Sequence, residues 1–250
     1  MREHEKGKKF DEFYTLHNHP VFMATLTKAG CTYLKNLFYF IDQNELHPLG
    51  DFIHQDESKM IRAEAIDIRN IEKSPYVFIV MRNPFDRFMS LYYEKIFGRG
   101  AGSMDWFRIS VGQDIGMNFS DELPLANHQE NALKLIGWLD KNLNNKTEVF
   151  KDFHWRRQSD KYNRIKGFEP KVLTLEGLNQ QLPHLLSPVI SDIQDKMDAV
   201  RARNHSPKPF SFDETLTDEI RDQVSEVYKK DLEIVSAAQR DWERILSHEK

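Results

Sequence analysis

An apolar run from Val21 to Leu26 stops at Thr27-Lys28-Ala29-Gly30-Cys31-Thr32, and apolar residues then return at Leu34, Leu37, Phe38 and Ile41. The run reads as a buried strand, and the i, i+3, i+4, i+7 spacing after it reads as one face of a helix. A strand that passes through a Lys-Gly-Thr turn into a helix aims backbone N–H groups and a helix N-terminus at one spot, with a lysine beside it. Such a spot suits a phosphate or another tetrahedral anion.

A second unit of the same kind lies further along. Tyr76 to Met81 is apolar and β-branched, bounded by Ser74-Pro75 and Asn83-Pro84, and reads as a strand. Arg82 sits where that strand should end. Pro84 suits the first turn of a helix, and Phe85, Phe88, Met89 and Tyr92 follow at helical spacing. A guanidinium at the strand end and the Ser90 hydroxyl two turns into the helix can converge on a second anion, which the planar guanidinium binds in bidentate fashion.

The remaining pattern is consistent with these two units. Asp51-Phe52-Ile53-His54 reads as a short strand, Arg62 to Ile71 as a helix, 126–143 as a helix and Lys171 to Leu175 as a late strand. From Thr217, an N-cap followed by Asp218 and Glu219, one long helix is expected to run to about Ile245, with Ile220, Val224, Val227, Ile234 and Ala238 as its apolar stripe. Asp231 falls in that stripe, where a structural ion-pair partner is expected. Strands alternating with helices imply a three-layer α/β fold, a central, mostly parallel sheet with helices on both faces. Residues 1–16 read as a ragged start. Of the 11 glycines, five lie between Gly98 and Gly116, so 98–125 reads as a glycine-rich loop, either a lid facing a substrate or a surface insertion.

With 250 residues, 40% of them hydrophobic, the chain can bury one sizeable core, and a single domain over 1–250 is expected. A net charge of −4 gives no global positive field and argues against nucleic acid. Basic residues cluster only locally, at Arg156-Arg157 and from Lys161 to Lys166, which fits a small anionic ligand better than a polymer. Cys31 is the single cysteine, so no intrachain disulfide forms. MREHEKGKKF carries no apolar stretch of signal length, and no apolar run is long enough to span a membrane. The expectation is a cytoplasmic enzyme, or one of the Golgi lumen if the sequence is a piece of an anchored protein.

Together the two strand–turn–helix stretches resemble the sulfotransferases that use 3′-phosphoadenosine 5′-phosphosulfate. T-K-A-G-C-T at 27–32 is similar to that family's loop for the 5′-phosphosulfate, and V-M-R-N-P-F-D-R-F-M-S at 80–90 is similar to its 3′-phosphate site. H-W-R-R-Q at 154–158, K-V-L-T-L-E-G-L at 171–178 and N-H-S at 204–206 resemble further segments of the carbohydrate sulfotransferase branch. The likeness spans roughly residues 21 to 240. Thr27 departs from the proline usual before the lysine, and Arg157 from the proline usual after His-Trp.

The resemblance implies that Lys28 acts beside the phosphosulfate and that Ala29, Gly30, Cys31, Thr32 and Tyr33 line it. It implies that Arg82 and Ser90 hold the 3′-phosphate. The acceptor it implies is a hydroxyl, with a glycan or glycoconjugate as the expected class. Direct transfer needs no thiol, and Cys31 reads as a small buried residue. His54, at the end of the expected second strand, is the leading candidate for the base, since imidazole titrates near neutrality. Asp56, Glu57, His17, His19 and His154 are alternatives. Arg87 is expected to pair with Asp86 or a neighbouring carboxylate. Trp155 reads as a stacking platform or as core. No metal is expected, because the histidines are scattered and His17-Asn18-His19 alone is too little. Two rivals share the layout: a P-loop kinase, for which G-x-x-x-x-G-K-[ST] and a magnesium carboxylate are missing, and a binding protein that kept the cradle without turnover. Oligomeric state is left open.

Overall fold

The apolar run Tyr76–Met81 is buried from Val77 onward and forms an interior strand, paired on both sides. In the computed structural model, which describes residues 12–63, 68–98, 103–120, 122–144, 152–200 and 208–248, the elements follow in the order β1 (Tyr14–Thr15), β2 (Val21–Ala24), α1 (Cys31–Gln43), β3 (Ile61–Arg62), α2 (Ile68–Lys73), β4 (Tyr76–Met81), α3 (Pro84–Leu91), α4 (Asp105–Phe107), α5 (Leu125–Asn144), α6 (Gln158–Ile165), β5 (Lys171–Thr174), α7 (Leu178–Leu186), α8 (Ile193–Ala199), α9 (Phe212–Thr215), α10 (Asp218–Val227) and α11 (Lys229–Ser247). The strands form one sheet in the order β3-β1-β2-β4-β5. β2, β4 and β5 run parallel, with Met23 beside Phe78 and Val80 beside Leu173. β1 pairs antiparallel with both β2 and β3. The α/β class is as expected, but the sheet is mixed, because the chain before β2 returns along its edge.

The described residues gather into two compact units. One is drawn from Met1–Met81, Asp160–Asn204 and Val235–Lys250, and the other from Arg82–Ser159 and His205–Ile234. The sheet lies in the first. Its core joins Val21, Met23, Phe78, Val80 and Leu173 to Leu34, Leu37 and Phe38 of α1, to Leu178, Leu182 and Leu186 of α7, and to Trp242 of α11. The indole N–H of Trp242 donates to the Val172 carbonyl (2.9 Å) and so ties α11 to β5. The second unit is helical. Its core joins Phe88, Tyr92 and Ile96 to Leu135, Ile136 and Leu139 of α5 and to Ile220, Val224 and Val227 of α10.

Several expectations need correction. Asp51 to His54 is not a strand but part of a 3-10 turn over Gly50–Gln55. The backbone there is not extended, with φ −95° and ψ 16° at Phe52, and Ile53 alone is buried. Residues 1–16 are not ragged throughout, because Tyr14 and Thr15 pair on both sides; residues 1–11 lie outside the described ones. The glycine-rich loop is partly helical. Met104, Phe107 and Val111 are buried in the second core and wind 105–112 into α4 and a π-helical turn. Of the helix expected over 62–71, the described residues show α2 from Ile68 onward, Arg62 belongs to β3, and 64–67 lie outside the described residues. The long C-terminal helix is two, α10 and α11, broken at Tyr228 (φ −113, ψ 25). Thr217 caps α10 as expected, accepting from the Ile220 N–H. N-H-S at 204–206 lies outside the described residues. No helix among them is long and apolar enough to cross a membrane.

Candidate functional site

In the first unit, β2 ends at Ala24 and the chain turns through 27–30 into α1. Lys28 and Gly30 both adopt the left-handed region, with φ of 64° and 77°. Glycine takes that conformation without strain, and a Cβ at residue 30 would stand 2.7 Å from Leu175 Cδ1. Gly30 is the N-cap of α1 and offers no side chain to it, and the first turn carries no acidic residue. The start of α1 thus has no cap from its N-cap residue and no carboxylate in its first turn, a setting that suits an anion. Lys28, Gly30, Cys31, Thr32 and Tyr33 are half-buried here and Ala29 is buried. Cys31 is thus less buried than expected.

His54 comes to this loop. Its Nε2 lies 3.1 Å from Thr32 Oγ1 and 3.8 Å from Cys31 Sγ. Its Nδ1 lies 2.9 Å from Lys35 Nζ. An ammonium can only donate, so Nδ1 accepts and the neutral ring carries its proton on Nε2, toward the loop. Lys35 is buried to 6% exposure and also pairs with Glu57 Oε1. The other oxygen of Glu57 accepts from the Tyr14 hydroxyl (2.7 Å) and from Arg62 Nη2 (2.6 Å). Tyr14 and Arg62 face each other across the β1–β3 pairing, which stacks the guanidinium 4.7 Å from the Tyr14 ring centroid. Burial raises the Glu57 pKa, but hydrogen bonds from Lys35, Tyr14 and Arg62 outweigh it and bring it down to about 2. Burial and the Glu57 charge push the Tyr14 phenol upward.

This network makes a pH prediction. The carboxylate of Glu57 is held below its unfolded value of 4.5, so its contribution is complete above that pH and fades as pH falls toward 2. Glu57→Gln leaves Lys35 buried without its counter-charge and should cost about 2–4 kcal/mol at neutral pH. Urea unfolding of both proteins should show the gap closing between pH 4.5 and 2; a constant gap contradicts the network.

Three of the other base candidates have partners elsewhere. The His17 ring lies 3.2 Å from Asp42, His154 lies 2.7 Å from Asp152, and Asp56 accepts from the Ser58 N–H.

In the second unit, Arg82 follows β4 directly and Asn83 caps α3, accepting from the Phe85 N–H at 3.0 Å, with Pro84 in the first turn. The Arg82 main chain is clamped by one side chain. Gln158 Oε1 accepts from the Arg82 N–H (2.9 Å) and Gln158 Nε2 donates to its carbonyl (2.8 Å). Gln158 is itself anchored, because the buried Asp231 carboxylate accepts from the Gln158 and Ser159 N–H groups, each at 2.8 Å. Asp231 is structural, as expected, but its bonds go to the main chain at the start of α6. Burial raises its pKa against those bonds.

The charge of Arg87, expected beside a carboxylate, acts on Asp231 against the rise in its pKa that burial causes, and Arg87 also holds main-chain carbonyls. It is buried and donates to the carbonyls of Arg156 (2.9 Å), His154 (3.1 Å) and Phe153 (3.4 Å). Tyr228 donates to the Trp155 carbonyl and Arg157 to that of Val227, both at 2.8 Å. Segment 154–158 is therefore a scaffold that presents Gln158 to Arg82, and Trp155 is core, fully buried beside Trp138. Ser90 is buried and donates to Glu94 Oε1 at 2.8 Å. Gln158 and the Lys35–Glu57 pair escaped sequence reasoning. The available signal was a lysine at 35 on the same helix face as Phe38, where a buried cation needs a partner. Among the described residues no three His, Cys, Asp or Glu side chains gather as a metal site.

An α/β chain with a strand–turn–helix loop and a strand-end arginine fits a group-transfer enzyme of the sulfotransferase kind. Residues 11–234 match the sulfotransferase family, and the chain belongs to it, within its family 2 branch. No curated protein and no solved structure matches the chain.

Proposed function

We propose that the protein transfers the sulfuryl group of 3′-phosphoadenosine 5′-phosphosulfate to a hydroxyl of a carbohydrate or glycoconjugate, in the cytoplasm. What supports the donor reading is the loop at 27–33, in a chain of the sulfotransferase family: a lysine and a glycine, both left-handed, lead into a helix whose N-cap, Gly30, brings no side chain.

In this reading the acceptor oxygen attacks sulfur in line, the S–O bond to the 5′-phosphate breaks, and 3′,5′-adenosine bisphosphate leaves. The work of the protein is position and charge. The N–H groups of Gly30 to Tyr33 and the Thr32 hydroxyl hold the phosphosulfate, Lys28 neutralises the charge that grows on the leaving phosphate, and Arg82 and Ser90 hold the 3′-phosphate. His54 takes the proton of the attacking hydroxyl. That role needs Nε2 bare, whereas Lys35 donates to Nδ1 and keeps the proton on Nε2, so His54 must leave Lys35 and change tautomer before it can act as the base.

Incubation with donor labelled in its sulfuryl group and a panel of sugars should give a labelled sulfate ester, and 3′,5′-adenosine bisphosphate should raise the melting temperature without metal. Stabilisation by ATP with magnesium and not by the bisphosphate would move the protein to the kinase reading.

A further inference from the structure

One cation in the second unit has no place in the donor reading so far. Lys208 Nζ lies 3.6 Å from the centroid of the Phe212 ring, and the Arg82 guanidinium carbon lies 5.9 Å from the same centroid. The ring is a fixed support. Ser211 and Glu214 form a capping box around α9, Tyr93 lies parallel to Phe212 at 6.2 Å with 5° between the planes, and the Tyr93 hydroxyl is 2.6 Å from Thr215 Oγ1. Two cations are thus kept against one aromatic ring, which attracts each of them while they repel each other. The Lys208 pKa is lowered by partial burial and by Arg82, with Glu94 and Asp86 acting the other way. The carboxylate nearest in role is Glu94, which also occupies the Ser90 hydroxyl.

We propose that Lys208 is a third ligand of the 3′-phosphate, beside Arg82 and Ser90, and that Glu94 holds the Ser90 hydroxyl until the phosphate takes it over. A phosphate monoester carries about 1.5 to 2 negative charges near neutral pH, more than a single arginine balances. A second cation supplies the difference, and its repulsion from Arg82 is relieved when the dianion arrives. Ser90 has one proton to donate, so binding must break its bond to Glu94, whose charge opposes the phosphate.

The inference rests on the donor reading above, and binding titrations of 3′,5′-adenosine bisphosphate and 5′-AMP separate the two. The wild-type protein should prefer the bisphosphate. Lys208→Ala should cut that preference about tenfold or more, with 5′-AMP affinity unchanged, and Lys208→Arg should restore most of it. Glu94→Gln should tighten the bisphosphate severalfold. Lys208 is exposed on its outer side, so its variants should keep the wild-type melting temperature. If the wild type shows the preference and Lys208→Ala keeps it, the Lys208 assignment is overturned. If the wild type itself shows no preference, the donor reading falls with it.

Discussion

Lys28→Ala should lower turnover by a factor on the order of 10² to 10³, while the donor KM changes little. The reason lies in when the lysine is needed. Charge on the leaving phosphate grows as the S–O bond breaks, so a cation beside it stabilises the transition state more than the bound donor. A group of this kind shows in kcat, whereas one that binds ground and transition states alike shows in KM. The substitution is also a clean one. Lys28 has a φ of 64°, and alanine keeps the same Cβ at that position, so the turn feels no new strain and the melting temperature should stay near that of the wild type. Initial rates at varied donor concentration, with a thermal melt of each protein, make the comparison. An unchanged kcat in a folded variant would remove Lys28 from the mechanism.

Arg82→Ala should act on binding instead. Its guanidinium is proposed to meet a phosphate that does not react, so the loss falls on donor affinity. A bidentate charged contact of this kind contributes about 2–3 kcal/mol, which corresponds to a rise in donor Kd of roughly 30- to 150-fold. The main chain at Arg82 is held by Gln158 through both its N–H and its carbonyl, and Gln158 in turn by Asp231, so the clamp survives loss of the side chain. Arg82→Lys should recover only part of the affinity, because an ammonium lacks the fork. Equal donor affinity in wild type and Arg82→Ala would mean that the 3′-phosphate is held elsewhere.

The elements that local pattern reveals are those whose local and tertiary demands agree. β4 spans the residues its apolar run marks, and α5 runs within a residue of its periodic stretch at each end. Where a distant partner decides, local pattern misleads. The stripe of α10 and α11 continues in phase through Tyr228, yet the helix breaks there, and the Tyr228 hydroxyl bonds to the Trp155 carbonyl far away in sequence. Arg87 and Asp231 were expected to find opposite charges, and the Arg87 charge does act on Asp231, but both also hydrogen-bond to carbonyl and N–H groups of 153–159. Such partners carry no residue-type signature.

The site divides the same way. The turn into α1 and the start of α3 just after Arg82 are local and legible. The approach of His54 to Thr32 is not, since it depends on a 3-10 turn where a strand was expected. The Lys35–Glu57–Tyr14–Arg62 cluster forms only because the β1–β3 pairing sets Tyr14 against Arg62. Lys208 is separated from Arg82 by more than a hundred positions in sequence, and nothing in its neighbours marks it as a phosphate ligand.

A crystal structure with 3′,5′-adenosine bisphosphate bound is the most direct measurement of whether one nucleotide engages both the early turn and the strand-end arginine. The account predicts Lys28 Nζ on the 5′-phosphate and the Arg82 guanidinium with the Ser90 hydroxyl on the 3′-phosphate. A nucleotide bound with either cation turned away from it would contradict the assignment.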